Sequence, residues 1–417
     1  MHYLSDFKAS AGRPVNQQQY KEEKLKWLFD LLFERGEMPR ADIARATGLS
    51  PTTVSMLVEE LIRKNIFVEV GYAPAMQGGR RPINLRVHAQ GRQIPAFTIR
   101  NGCVRFELYN LGMEVLEAFD VRISDADMAC GDEACAQLIA DILFRQSQRF
   151  VPQIAAGVCI CIPGFYKPDH RAFVLCPDGI ELKMDVLEDL ERELHLPLFL
   201  GNEMHCLTFM EAMGSEETRA DGLIYVNVSR RVEACLYVSG DLYTGRDNYA
   251  GQLGHVSINY RGRPCECGGR GCLEHYVNTD AILERIAEAA AFKRCGTLDA
   301  LTGGDMKQLT MEMVGRAYAA GESVVVEVID DVAEQLYAGI YGMVSIAGVG
   351  RVAIGGEIVQ LGERFLKRLQ ALAGCTAGQH ILRGITICYS HQDAGSVSRG
   401  LVDYFIRKRF EISRGKA

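Results

Sequence analysis

The strongest constraint on this chain is the run from Gly254 to Glu274, which places His255, Cys265, Cys267 and Cys272 in the order His-x9-Cys-x-Cys-x4-Cys. Three thiolates and one imidazole complete a tetrahedral shell that suits Zn²⁺ and leaves no open position for water. Whatever the chain folds into must bring these four side chains together. Gly268, Gly269 and Gly271 let the backbone close around a small ion where side chains would crowd. The expected cofactor is one structural zinc per chain, a clip that fixes the loop carrying Glu274.

The chain has 417 residues, which is too long for one ordinary core, so two or three domains are expected. Its composition is globular, 48% hydrophobic and 24% charged. No run reaches the ~20 apolar residues needed to cross a bilayer, and the start, Met1 to Lys8, lacks an apolar signal core. A cytoplasmic protein with no membrane partner is expected, in which the remaining cysteines stay reduced and pack as small hydrophobes. Charge is unevenly spread. Residues 1–95 hold 14 basic and 10 acidic residues, and the remainder holds 32 and 43. A basic head on an acidic body fits a DNA-reading domain fused to a ligand domain.

Residues 1–16 lack periodicity and read as a flexible arm. Residues 17–91 read as a winged helix-turn-helix. Leu25, Leu28, Phe29 and Leu32 give one apolar helical face. Ile43, Ala44 and Thr47 give a second, short one that Gly48 can end. Ser50 is a good N-cap and Pro51 suits the first helical position. Val54, Leu57, Val58 and Leu61 then recur at helical spacing. This second helix of the motif would enter the major groove. Ser50, Thr52, Thr53, Ser55 and Met56 at its start, with Arg40 before it, are the expected DNA contacts. Runs 66–72 and 83–87 read as the two strands of a wing, with Arg80 and Arg81 near its tip, suited to a narrow, electronegative minor groove.

Beyond residue 92, apolar strands alternate with helical stretches, an α/β pattern. Runs 94–99 and 104–108 form an opening hairpin, 155–164 a buried strand entering a Pro-Gly turn, 223–228 and 234–238 a further pair, and 352–356 a late strand and turn. The long apolar periodicity of 324–346 suits core or subunit contact.

The motifs resemble those of the ROK family of repressors, open reading frames and kinases. The segment Ala250-Gly251-Gln252-Leu253-Gly254-His255 is similar to A-G-E-[IL]-G-H with Gln for Glu, and Cys265 to Glu274 matches C-x-C-G-x-x-G-C-x-E. Gly78-Gly79-Arg80-Arg81-Pro82 is similar to the wing tip of ROK repressors. The resemblance implies an actin-like, two-lobed body with residues 92–203 as the first lobe, 204–394 as the second with the zinc site and an oligomerisation surface, and 395–417 returning to the first. It also implies a sugar cleft between lobes, lined by Asn202, Glu203, Gln252, His255 and Glu274, with Asp178 of Pro177-Asp178 as a further contact.

Kinase chemistry needs glycine-rich loops that cradle phosphates and a carboxylate base. Where ROK kinases carry D-x-G-G-T, this chain has Thr98-Ile99-Arg100-Asn101-Gly102. Where they carry G-T-G-[IV]-G, it has Ser229-Arg230-Arg231-Val232-Glu233. The base position, Asp in the family, is Glu203, whose extra methylene moves the oxygens by about 1 Å, a shift that costs on the order of 10²-fold in rate. The resemblance therefore implies no enzyme but a transcriptional regulator of sugar uptake or catabolism. Its expected state is a homodimer or homotetramer that binds a pseudo-palindromic operator and answers to a sugar or sugar derivative. The rivals are a sugar kinase with an appended head and a regulator controlled by a protein partner.

Overall fold

The computed structural model describes residues 2–3, 17–72, 81–100, 102–124, 131–147, 155–175, 179–245, 249–293, 295–376, 384–392 and 394–410. Arg80 and Asp178 lie outside these residues. The chain divides into two units, one of residues 1–203 with 397–417 and one of residues 204–396.

The first unit begins with strand β1 (His2–Tyr3), followed by helix α1 (Gln17–Arg35), strand β2 (Met38–Pro39), helices α2 (Arg40–Thr47) and α3 (Pro51–Arg63), and strands β3 (Phe67–Tyr72) and β4 (Ile83–Val87). Leu25, Leu28, Phe29 and Leu32 of α1, Ile43 of α2, and Val54, Leu57, Val58 and Leu61 of α3 are all buried. Their three- and four-residue spacing puts each set on one helical face. Gly48, at φ 68°, closes α2 with its N–H donating to the Ala44 carbonyl at 2.8 Å. Ser50 caps α3, its Oγ accepting from the Thr53 N–H at 3.1 Å, with Pro51 in the first turn. Strands β3 and β4 pair antiparallel, and β2 joins the free edge of β4. This is a winged helix-turn-helix.

Behind the head, β5 (Gln93–Arg100), β6 (Cys103–Asn110) and β7 (Val115–Arg122) form a meander. Strands β8 (Val158–Cys161) and β12 (Leu198–Gly201) extend it in parallel. Strands β9 (Gly164–Lys167), β10 (Ala172–Leu175) and β11 (Glu181–Lys183) make a separate antiparallel sheet between them in sequence. Every residue of β8 and β12 is buried, as expected of parallel strands covered on both faces. On the meander Phe97 meets Phe106 with ring centroids 5.2 Å apart, and Phe106 meets Phe119 at 4.8 Å.

The arm expected over 1–16 is corrected at one point. His2 and Tyr3 pair in parallel with Phe199 and Leu200 of β12. A strand edge offers unpaired N–H and C=O groups to any extended segment that reaches it, and His2 and Tyr3 take that edge.

The chain's end returns to this unit. The helix Val397–Tyr404 continues as a π-helical turn, Phe405–Arg409. The Phe199 ring of β12 stacks on Tyr404 at 5.8 Å and meets Phe405 at 5.7 Å. Phe410 reaches Phe29 of α1 at 5.4 Å. Arg407 pairs with Glu34 of α1 at 3.1 Å and lies over the Phe33 ring. One short segment thus bridges the head and the sheet behind it.

In the second unit, β13 (Leu223–Val228), β14 (Val232–Val238) and β15 (Asp241–Tyr243) form a meander, extended in parallel by β16 (Arg351–Gly355) and β17 (Thr386–Tyr389). The order β15-β14-β13-β16-β17 repeats the order β7-β6-β5-β8-β12 of the first unit. Two α/β units with one strand order make an actin-like body. The helix Ser323–Ala347 buries Val325, Ile329, Val332, Leu336, Ile340 and Val344, so its apolar stripe is core. Among the described residues no helix is long and apolar enough to cross a membrane.

Phe405 is 3% exposed and packs against Phe199 of β12 and against Phe410, the ring that reaches α1. Phe405→Ala should destabilise the protein by about 3 kcal/mol or more, read by denaturant unfolding. A loss below about 1 kcal/mol would show that the bridge is not part of the core.

Candidate metal centre, ligand residues and nucleic-acid interface

The four expected metal ligands converge. His255 ends a short turn, Leu253–His255, and the cysteines follow in a tight knuckle. His255 Nδ1 and Cys265 Sγ lie 3.6 Å apart, Cys267 Sγ and Cys272 Sγ lie 3.6 Å apart, and all four donor atoms fall within 4.8 Å of one another. Bonds of about 2.3 Å from a tetrahedral centre to sulfur place donor atoms about 3.8 Å apart, so the group fits a single zinc-sized ion. Among the described residues it is the one His/Cys/Asp/Glu group that could hold a metal.

Backbone bonds shape the knuckle. The Cys265 N–H donates to Gly269 O at 2.9 Å, Gly271 N–H to Arg263 O at 2.8 Å, and Leu273 N–H to Val256 O at 2.9 Å. Gly271 sits at φ 63°, and a Cβ there would lie 1.7 Å from the Asn259 carbonyl oxygen. No other residue fits. The Gly269 N–H, 3.4 Å from Cys267 Sγ, lowers the Cys267 thiol pKa, while burial pushes that of Cys272 up to about 12. A bound cation would favour the Cys272 thiolate that burial opposes. The knuckle also touches the core. Gly339 of the long helix leaves room for Leu273, whose Cδ2 would lie 2.6 Å from a Cβ at that position.

Glu274 opens the helix Glu274–Val277 directly after the knuckle, and its Oε2 accepts from the Val232 N–H at 2.9 Å. Gln252 and His255 are exposed, and Glu274 is half-buried. In the first unit Asn202 and Glu203 follow β12 and are half-buried. Glu203 Oε1 accepts from Arg100 at the end of β5, at 2.7 Å. The sequence reading missed this partnership. Its only sign there is a cation where the family pattern has a glycine, and pairing across 103 residues becomes visible only with the strand register.

The turn Ser229 to Arg231 is closed on itself. The Ser229 N–H donates to Arg231 O at 3.0 Å, the Thr279 N–H to Ser229 O at 3.0 Å, and the Glu357 N–H to Ser229 Oγ at 3.1 Å.

On the head, Thr52 and Met56 are exposed at the start of α3, Met56 by 56%, and Thr53 and Ser55 are half-buried. The Ser50 hydroxyl is occupied as the cap and lies 2.8 Å from Thr53 Oγ1. Arg40 is ion-paired with Glu69 of β3 at 3.1 Å, so a phosphate would have to draw it from that carboxylate. Arg81 is exposed where the described part of the wing resumes. Glu60 pairs with Lys21 of α1 at 2.6 Å.

Comparison with known proteins follows the same lines. The ROK family profile matches residues 124–388. A xylose repressor of Caldicellulosiruptor bescii is 27% identical over 338 residues, covering 79% of this chain and 82% of the repressor. A solved ROK family transcriptional regulator, a homologue of the E. coli MLC protein, superposes with a TM-score of 0.76 at 20% identity, over 93% of this chain and 97% of that one. A ROK family glucokinase from Streptomyces griseus, solved with glucose and AMPPNP, superposes with a TM-score of 0.58 at 17% identity over 75% of this chain and 98% of the kinase. With the profile spanning more than half the chain, and the knuckle and its glycines in place, the chain belongs to the ROK family.

Proposed function

We propose that this protein is a DNA-binding repressor of sugar-uptake or catabolic genes, controlled by a sugar or sugar derivative. The observation that carries this reading is the winged head, with the polar start of α3 open to solvent, on a ROK body. A homodimer or homotetramer presents two heads to a pseudo-palindromic operator. Thr52, Thr53, Ser55 and Met56 face base edges and phosphates, Arg80 and Arg81 serve the wing contact, and Arg40 and Ser50 flank them. Asn202, Glu203, Gln252, His255 and Glu274 are the residues assigned to the effector, with Asp178 as a further contact. The effector acts by binding two arrangements of the protein with different affinity. Phe199 lies three residues before Asn202, and its contacts with Tyr404 and Phe405 lead to Phe410, Phe29 and α1.

The body is a binding module without kinase activity. The Ser229 turn has no glycine, and the N–H, carbonyl and hydroxyl of Ser229 are engaged within the protein, which supports a turn that does not cradle phosphate. Arg100 holds the carboxylate at the base position. The metal is zinc, with His255, Cys265, Cys267 and Cys272 as ligands, and its part is to fix the knuckle and orient His255 and Glu274.

Three measurements test this reading. Arg81→Ala should weaken operator binding roughly equally across sequences and reduce the salt slope by about one ion. An unchanged slope would remove Arg81 from the interface. Elemental analysis should find one zinc per chain, lost in Cys267→Ala, and full zinc in that variant would refute the ligand set. ATP consumption over a panel of sugars should stay at background, whereas turnover abolished by Glu203→Ala would establish the kinase instead.

A further inference from the structure

We propose that Arg100 sets the class of effector: an anionic sugar derivative, a sugar phosphate or sugar acid, whose acidic group rests on the Arg100 guanidinium beside Glu203. This deepens, and rests on, the reading that Asn202 and Glu203 hold the effector.

Placement comes first. Strands β5, β8 and β12 run parallel, and Thr98, Cys161 and Gly201 stand in one row across them. Arg100 lies two residues beyond that row on β5, and Glu203 lies two residues beyond it where β12 gives way to the helix Glu203–Met213. Both therefore stand at the carboxyl-terminal edge of the parallel strands, where open α/β sheets receive their ligands.

The chemistry of the pair then narrows the ligand. Arg100 Nη2 donates to Glu203 Oε1 at 2.7 Å, and the two side chains are 42% and 31% exposed, so both are reachable from solvent. A guanidinium carries five N–H donors in a planar fork. Among the described residues this one has Glu203 as its single polar partner. Glu203 Oε2 accepts nothing among the described residues and is free to take a ring hydroxyl. A ligand that covers the pair strips water from the unused N–H groups, and each one left unmatched weakens binding. Hydroxyls of a neutral sugar meet such donors singly. A phosphate or carboxylate meets two at once, in the geometry for which Arg is suited and Lys is not. Hydroxyl recognition alone needs no such cation, since amides such as that of Asn202 can both donate and accept.

Calorimetric titration of the full-length protein tests this. The probes are an aldose panel, the matching sugar phosphates, and the matching aldonic and uronic acids, against wild type, Arg100→Gln and Arg100→Lys. At least one anionic derivative should bind wild type about tenfold or more tighter than its neutral parent, the scale of one charge-assisted contact. Arg100→Gln should reduce that preference to about twofold or less, and Arg100→Lys, with charge but no fork, should fall between. Whether the phosphate or the acid shows the preference identifies the acidic group. Should Arg100→Gln fail to fold, Arg100→Lys alone must still lower the preference. A neutral sugar that binds wild type as tightly as its anionic derivatives, or a preference untouched by either substitution, overturns the role of Arg100 and leaves the effector reading standing. Binding of nothing in the panel by wild type overturns both.

Discussion

The first unit depends on the return of the chain's end. Residues 397–410 lie against strands that were laid down some two hundred or more residues earlier, and their aromatic rings join Phe199 of β12 to Phe29 of α1 through Tyr404, Phe405 and Phe410. Charged groups line the same seam. Arg407 holds Asp403 at 2.9 Å and Glu34 at 3.1 Å, and Lys26 pairs with Asp30 on α1. Burial pushes the Asp403 carboxyl pKa up against the pull of Arg407, and burial pushes that of Lys26 down. Partly exposed pairs of this kind add little net stability, but removing Arg407 would strand the buried Asp403 carboxylate. The aromatic rings therefore supply cohesion, and the charges discriminate against misplacement. The head is packed on its carrier as a part of one unit, which a loosely tethered DNA-binding domain would not be.

A second constraint acts in the other unit, where the knuckle, the long helix and β14 are locked together by close approach. Gly339 admits Leu273, Gly271 admits the Asn259 carbonyl, and Glu274 is held by the Val232 N–H. The four residues that could hold a metal and the carboxylate assigned to the effector belong to one loop, so an ion there would fix side-chain direction as well as chain path. The same economy of groups marks what the body has lost. Ser229 stands where a phosphate loop would be, and its hydroxyl is engaged by the Glu357 N–H.

Much of this was legible in the sequence because it rests on local rules. Ser50-Pro51 announces a capped helix, Gly48 an αL stop, and the spacing of Val54, Leu57, Val58 and Leu61 a buried face, and each is found. The cluster of His255, Cys265, Cys267 and Cys272, which could hold a metal, was legible because these residue types and their glycines leave few other uses. Non-local facts were hidden. Periodicity does not show that His2 and Tyr3 would add to the edge of β12, since two residues carry no pattern and the edge is created by the fold. The partnership of Arg100 with Glu203 needs the register of three strands, and that of Arg40 with Glu69 needs the pairing of β3 and β4 around the head. Arg40 shows the cost of reading charge alone, because this basic residue before α3 already has the Glu69 carboxylate as its partner.

The central claim is that a sugar-type effector controls operator binding by this chain. It is tested most directly by a mobility-shift measurement on the DNA upstream of its own reading frame, at one fixed salt concentration, with and without candidate sugars, their phosphates and their acids. Specific binding that one of these compounds releases is the predicted result. Specific binding that none of them moves, or no specific binding at all, would contradict it.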